Sequence, residues 1–179
     1  MRTYRRNHLP GGTFFFTVNL HDRASNLLVK HIDILRTAVL ATRQKLPFHI
    51  DAWVVLPDHT HCIWTLPQGD SNFPARWHAI KSTFSKSLPD AGTRTAESTR
   101  RGERGIWQRG YWEHTMRDEA DLAAHIDYIH YNPLKHGHVT NLSDWPHSTF
   151  HGYVSQGHYP RSWGHTAPPN EPAQAGERP

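Results

Sequence analysis

The chain has 179 residues, 20 Lys plus Arg against 16 Asp plus Glu, and a formal net charge of +4 at pH 7. That length suits one domain with a real core and a short tail. Mean hydropathy is −0.72, and no stretch approaches the roughly 20 apolar residues that a membrane helix needs. Met1 leads into Arg2, Arg5 and Arg6 with no apolar run behind them, so no secretory leader is expected and the protein is read as soluble and cytoplasmic. The single Cys62 excludes an internal disulfide framework and a cysteine-based zinc cage. Of the 20 basic residues 15 are Arg, whose planar fork fits phosphate, so a polyanionic partner is compatible with the charge. The 16 His suggest metal or acid–base chemistry, and they also make chance histidine motifs common.

In chain order, FFFTVNL at 14–20 is an aromatic and β-branched run that predicts a strand. Ser25 or Asn26 can cap the next helix, in which Leu28, Ile32, Leu35 and Val39 form one stripe, and Pro47 closes it. Residues 48–56 and 59–66 predict two further strands, joined through Pro57-Asp58 as an antiparallel pair. A second helix begins near Phe73-Pro74 with Trp77, Ile80, Phe84 and Leu88 on one face and Arg76, Lys81 and Lys86 on the other. The segment 89–105 is polar and aperiodic and reads as a loop. Residues 111–117 predict a fourth strand. Residues 118–131 predict a third helix with Leu122, Ile126 and Ile129 as its core stripe, ended or bent at Asn132-Pro133. The order β-α-β-β-α-β-α predicts an α+β, ferredoxin-like split βαβ fold: an antiparallel sheet with helices on one face plus an extra C-terminal helix. Residues 1–163 are expected to form a single domain and 164–179 a disordered tail.

Two constellations can carry chemistry. His59 and His61 are two apart in a predicted strand, so both rings point to one face and can share a divalent ion. Chance alone gives roughly 1.4 His-x-His pairs in such a composition. The sequence holds two, the other being His136/His138, which reads as a solvated turn or a charge at a helix end. Tyr128 and Asn132 are four apart and project from one helical face. Taken singly, a packed tyrosine and a helix-ending amide explain them as well. Together with the His pair they suit phosphodiester transfer. A cation polarises the phosphate, and a tyrosine activated by a nearby cation attacks it and can later leave.

Six stretches in order, YRR at 4–6, GGTFFFTVNL at 11–20, AWVVLPDHTHCIWTLP at 52–67, IWQRGYWEHTMR at 106–117, DYIHYNPLKHGHV at 127–139 and SDWPHSTF at 143–150, carry a resemblance. The chain resembles the REP-associated tyrosine transposases, relatives of the single-tyrosine insertion-sequence transposases of the HUH superfamily, over about residues 4–154. The resemblance places the HUH motif on His59, Thr60 and His61, the nucleophile on Tyr128 and the third, amide-type metal ligand on Asn132. Thr60 departs from the bulky apolar residue usual at the middle position.

What the resemblance implies is a metal-dependent single-stranded DNA endonuclease and strand transferase. It would use Mg²⁺ or Mn²⁺, form a 5′-phosphotyrosine at REP-type hairpin DNA, act as a monomer, and work in the cytoplasm at the nucleoid. Arg5, Arg6, Arg76, Lys81, Lys86, Arg117 and Lys135 are the expected DNA-binding residues, each to be weighed against a merely solvated charge. Trp107, Trp112 and Trp145 are candidates for base stacking, with core packing the commoner fate of such side chains. Glu113 and His114 lie in a matching stretch without an assignable role. The competing functions are a non-catalytic REP-hairpin-binding regulator and a histidine-based metal-storage protein, the latter disfavoured because the His are scattered.

Overall fold

A computed structural model describes residues 9–89, 105–165, 168–170 and 172. Arg5 and Arg6, nearly all of the 89–105 loop and most of the 164–179 tail lie outside the described residues. The elements are β1 (Thr13–Asn19), α1 (Leu27–Lys30), α2 (Ile32–Lys45), β2 (His49–Val55), β3 (His59–Thr65), α3 (Phe73–Ser87), β4 (Trp112–Thr115), α4 (Glu119–Lys135), a 3-10 turn (Leu142–Asp144) and α5 (Phe150–Ser155). Among the described residues the strands form one four-stranded sheet in the order β2-β3-β1-β4, with every pair antiparallel. That order is the split βαβ arrangement expected from the sequence.

The central strand explains the layering. Five consecutive residues of β1, Phe14 to Val18, are buried, so both of its faces are covered. Phe14, Phe16 and Val18 join Trp53, Trp64, Phe73, Trp77, Ile80 and Phe84 in the larger core beneath α1, α2 and α3. Trp64 and Trp77 stack at 4.4 Å, and Phe48 lies 4.3 Å from Trp64. Phe15 faces the other way and packs with Ala52, Val54, Leu56, Ile63, Tyr128 and Ile129. α4 therefore covers the sheet face that α1, α2 and α3 leave open.

Two local readings change, and one feature is added. The single helix expected after Ser25 divides at His31, whose φ of −117° and ψ of 37° separate α1 from α2. α1 is tied instead to the β2–β3 connection, Leu28 N donating to Pro57 O at 3.1 Å. Pro133 does not end α4, which runs on to Lys135. Its missing N–H falls in the last turn, and His136 N still donates to Asn132 O at 3.0 Å, so Asn132 stays helical. Finally, the segment 147–149 lies along the outer edge of β2. Val55 N donates to His147 O at 2.9 Å and Thr149 N to Trp53 O at 2.8 Å.

His130 sits buried between α4 and α5, with Nε2 2.8 Å from Thr149 Oγ1 and its ring 4.7 Å from that of Tyr153. Burial pushes its pKa down from 6.5 to about 3. The unfolded chain therefore takes up a proton near its ordinary pKa of about 6.5 while the folded chain refuses it, so stability falls as pH drops through that window towards 3. Thermal melts should show Tm declining from pH 6.5 towards 3, and His130→Gln should flatten that decline while lowering Tm at neutral pH. An unchanged slope in the variant contradicts the assignment.

Candidate active site

His59 and His61 lie on the face of β3 turned to α4, as period-two alternation requires. Thr60 lies on the opposite face, where its hydroxyl donates to Val54 O at 2.7 Å and accepts from Trp53 Nε1 at 2.6 Å. The residue that departs from the family pattern thus meets its own polar needs away from the histidines. The two imidazoles are buried, with centroids 4.9 Å apart and planes nearly perpendicular. Each is held through Nδ1: His59 by Asp58 Oδ1 at 2.8 Å and His61 by Thr17 Oγ1 at 2.8 Å. Burial opposes the charge on Asp58, but the His59 hydrogen bond and Arg23, 3.0 Å away, hold its carboxyl below the usual range. Fixing one ring nitrogen sets the ring plane and leaves Nε2 as the atom through which each histidine can ligate.

α4 supplies the other half. Tyr128, Asn132 and His136 are each four residues apart and share one stripe. The Tyr128 ring lies 5.4 Å from that of His61, and the His136 ring 5.3 Å from that of His59. Asn132 sits between these two contacts and is fully buried. Its Nδ2 donates to Tyr128 O at 3.1 Å, and its Oδ1 accepts no hydrogen bond among the described residues. Lys135 Nζ stands 4.8 Å from the centre of the Tyr128 ring. His136 is exposed at the helix end, as the sequence suggests, but it also reaches the His pair.

The basic residues divide. Lys135 lies over Tyr128 on the His-pair side of the sheet, whereas Arg76, Lys81 and Lys86 ride on α3, across the sheet from it. Arg76 needs correction as a member of an exposed phosphate track. It is fully buried, donating to Asn72 O, Pro47 O and Asp70 Oδ2 at 3.0, 2.6 and 2.6 Å. A cation so enclosed ties the start of α3 to the end of α2. Lys81 is also engaged, donating to Gln108 O at 3.2 Å and Gly110 O at 2.9 Å beneath the rings of Trp107 and Tyr111. Lys86 and Arg117 are exposed, and Arg117 donates from Nε to Asp121 Oδ2 at 3.0 Å. Of the tryptophans weighed for stacking, Trp107 bonds Ser85 Oγ and Trp145 bonds Val55 O.

A cluster missed in the sequence lies one turn upstream on α4. His114 of β4 and Asp121 and His125 of α4 offer ligand atoms that all fall within 4.8 Å of one another. The signal available was Asp-x-x-x-His on a predicted helix, which points both side chains to one face. Only the strand register reveals that His114, opposite Phe15 on β1, meets them.

No protein-family model matches the chain. It is 47% identical over 163 residues to the REP-associated tyrosine transposase of Escherichia coli K12, covering 91% of each protein. A Haemophilus influenzae relative, provisionally named to the same family, is 42% identical over 165 residues, covering 92% of this chain and 94% of the relative. A solved structure of a REP-associated tyrosine transposase bound to a REP hairpin superimposes with a TM-score of 0.78 at 47% identity, over 91% of each chain.

The enclosed cations of α3 should act on stability. Arg76→Ala should cost about 2–3 kcal/mol, because Asp70 and two carbonyls lose a buried donor. Lys81→Met should cost about 1 kcal/mol and speed amide exchange near Gly110. Denaturant unfolding and hydrogen exchange read both, and unchanged stability in Arg76→Ala refutes this structural role.

Proposed function

This chain belongs to the family of REP-associated tyrosine transposases, DNA-processing enzymes, and on that premise we propose that it cuts and rejoins single-stranded DNA at REP-type hairpins. Tyr128 is the nucleophile, and His59, His61 and Asn132 are the ligands of a divalent cation. The observation that carries this reading is one stripe at the end of α4: buried Tyr128 against His61, exposed His136 just past the helix against His59, and buried Asn132 between them in the stripe. The donor set fits a cation. It offers two imidazoles oriented through Nδ1 and one buried amide oxygen that accepts no hydrogen bond among the described residues. Mixed imidazole and oxygen ligation suits Mn²⁺ and tolerates Mg²⁺. Such a cation, when bound, polarises the scissile phosphate and offsets the charge that builds on its oxygens.

The chain's own residues do the rest. Tyr128 Oη gives up its proton and attacks phosphorus, the P–O3′ bond breaks, and the departing 3′ oxygen takes up one proton to leave as a hydroxyl. The product is a 5′-phosphotyrosine, which an incoming DNA 3′-hydroxyl can reverse without an external energy source. Lys135 holds a positive charge over the attacking ring, in reach of a phosphate placed there. Lys135 and the exposed Arg117 are the proposed contacts to the DNA backbone on this side of the sheet, and Lys86 on the far side. The protein is proposed to act as a monomer in the cytoplasm, at the nucleoid. No helix of the described residues is long and apolar enough to cross a membrane.

A labelled REP hairpin oligonucleotide incubated with Mn²⁺ should give a denaturation-resistant protein–DNA adduct. Tyr128→Phe should abolish the adduct and keep hairpin binding within about 0.5 kcal/mol. Undiminished adduct in that variant overturns the nucleophile assignment. Hairpin binding without cleavage under any divalent ion supports the non-catalytic DNA-binding reading instead. Thr17→Val removes the partner of His61 Nδ1 and should raise the Mn²⁺ concentration for half-maximal cleavage about 10–100-fold. An unshifted Mn²⁺ response removes Thr17 from the site.

A further inference from the structure

We infer that His114, Asp121 and His125 form a second cation site, selective for Zn²⁺-class ions, that clamps β4 to the first half of α4. None of its three ligands is assigned to DNA cleavage or DNA contact, and it stands whether or not that assignment holds.

The geometry comes first. The His114 and His125 rings stack at 4.8 Å with an interplanar angle of 15°, so their nitrogen edges run alongside one another. Both edges address one carboxylate: His114 Nε2 lies 2.8 Å from Asp121 Oδ2, and His125 Nδ1 lies 3.2 Å from Asp121 Oδ1. The three side chains are only 12%, 5% and 1% exposed. The Phe15 ring, 4.9 Å from that of His125, covers the cluster from the sheet side.

Support around the ligands is also present. Arg117 fixes Asp121 Oδ2 through both its backbone N–H, at 3.1 Å, and its Nε, at 3.0 Å. His125 Nδ1 also lies 2.8 Å from the backbone oxygen of Asp121, a hydrogen bond that this nitrogen gives up when it ligates an ion. Outer contacts of the kind that Arg117 makes hold a ligating carboxylate in place. The Asp118 side chain caps α4 by accepting from Asp121 N at 2.8 Å, so the backbone that carries the carboxylate is itself fixed.

The donor chemistry selects the ion. Two imidazoles and one carboxylate match Zn²⁺, Co²⁺ or Ni²⁺; Mg²⁺ and Ca²⁺ prefer all-oxygen shells. The set differs in charge from the His59, His61 and Asn132 set, which is neutral. The anionic site should therefore take the first equivalent of Zn²⁺.

The test uses the full untagged chain, stripped with chelator and titrated with Zn²⁺ or Co²⁺. A His59→Ala/His61→Ala variant should still bind one Zn²⁺ per chain, show the visible absorption of Co²⁺ on substitution, and gain thermal stability on Zn²⁺ addition. Adding Asp121→Asn to that background, which keeps side-chain volume, should abolish all three responses. The inference is overturned if the His59→Ala/His61→Ala chain binds no Zn²⁺, or if binding survives Asp121→Asn. Should that combined variant fail to fold, imidazole ¹⁵N spectra of the His59→Ala/His61→Ala chain decide the matter. Zn²⁺ must shift the ring nitrogens of His114 and His125, and unshifted rings refute the site.

Discussion

The antiparallel register of β1 between β3 and β4 is the constraint on which the remaining structure hangs. Thr17 stands opposite His61 on one side and Trp112 on the other, and Phe15 stands opposite Ile63 and His114. Because β1 is buried on both faces, a slip of one residue would send Phe14, Phe16 and Val18 towards α4 and Phe15 and Thr17 towards α3. The same slip would take the Thr17 hydroxyl away from His61 Nδ1 and carry His114 off the face that meets α4. Packing of the large aromatic core under α1 to α3 therefore enforces the alignment of polar groups on the far side of the sheet. Apolar burial supplies the energy, and the polar groups inherit the geometry.

α4 is unusual in what it buries. Asp121, His125, Tyr128 and Asn132, spaced by four, three and four, form a polar stripe laid against the sheet. Leu122 and Ile126, which the sequence suggests as core, are only partly buried beside it, and Ile129 alone of that apolar series is fully enclosed. Burying polar groups costs free energy unless each meets a partner. A helix that turns its polar stripe inwards and leaves apolar residues at the margin is poorly explained by stability alone. The His pair on β3 and the His-Asp cluster at β4 lie under opposite ends of this one stripe, so α4 sets the distance between them.

Most of the sheet and the long helices are legible in the sequence, because β-branched and aromatic runs and Pro breaks mark them without reference to distant contacts. The His59/His61 pair is legible as a same-face pair once its strand is identified, and Tyr128 with Asn132 as a same-face pair once its helix is. Other features depend on tertiary context. The burial of Arg76 rests on Asp70 and the Pro47 carbonyl, which periodicity cannot supply, so a helical wheel places it outside. The continuation of α4 past Pro133, which has no N–H to donate to Ile129 O, rests on the bonds beyond it, such as His136 N to Asn132 O, and these are not legible in the sequence. His114, Asp121 and His125 become a cluster only when β4 pairs with β1 and α4 crosses back over it. α5 is too short and too mixed in composition to show a period, and it is held by Phe150 and by the Tyr153 hydroxyl donating to Asp51 O at 2.8 Å.

The strip 147–149 along β2 has a consequence for how copies of the protein meet. An open sheet invites further strands at its rim, where unpaired peptide groups act as a template for aggregation. Here the chain folds its own backbone onto the Trp53–Val55 half of that rim, through Val55 N to His147 O and Thr149 N to Trp53 O. The other half carries a register irregularity between Ile50 and Ala52, with the charged Asp51 at the break. A neighbouring copy could extend the sheet along β2 only by first stripping away residues that also anchor α5. The protein therefore carries its own guard against edge-to-edge polymerisation on that side.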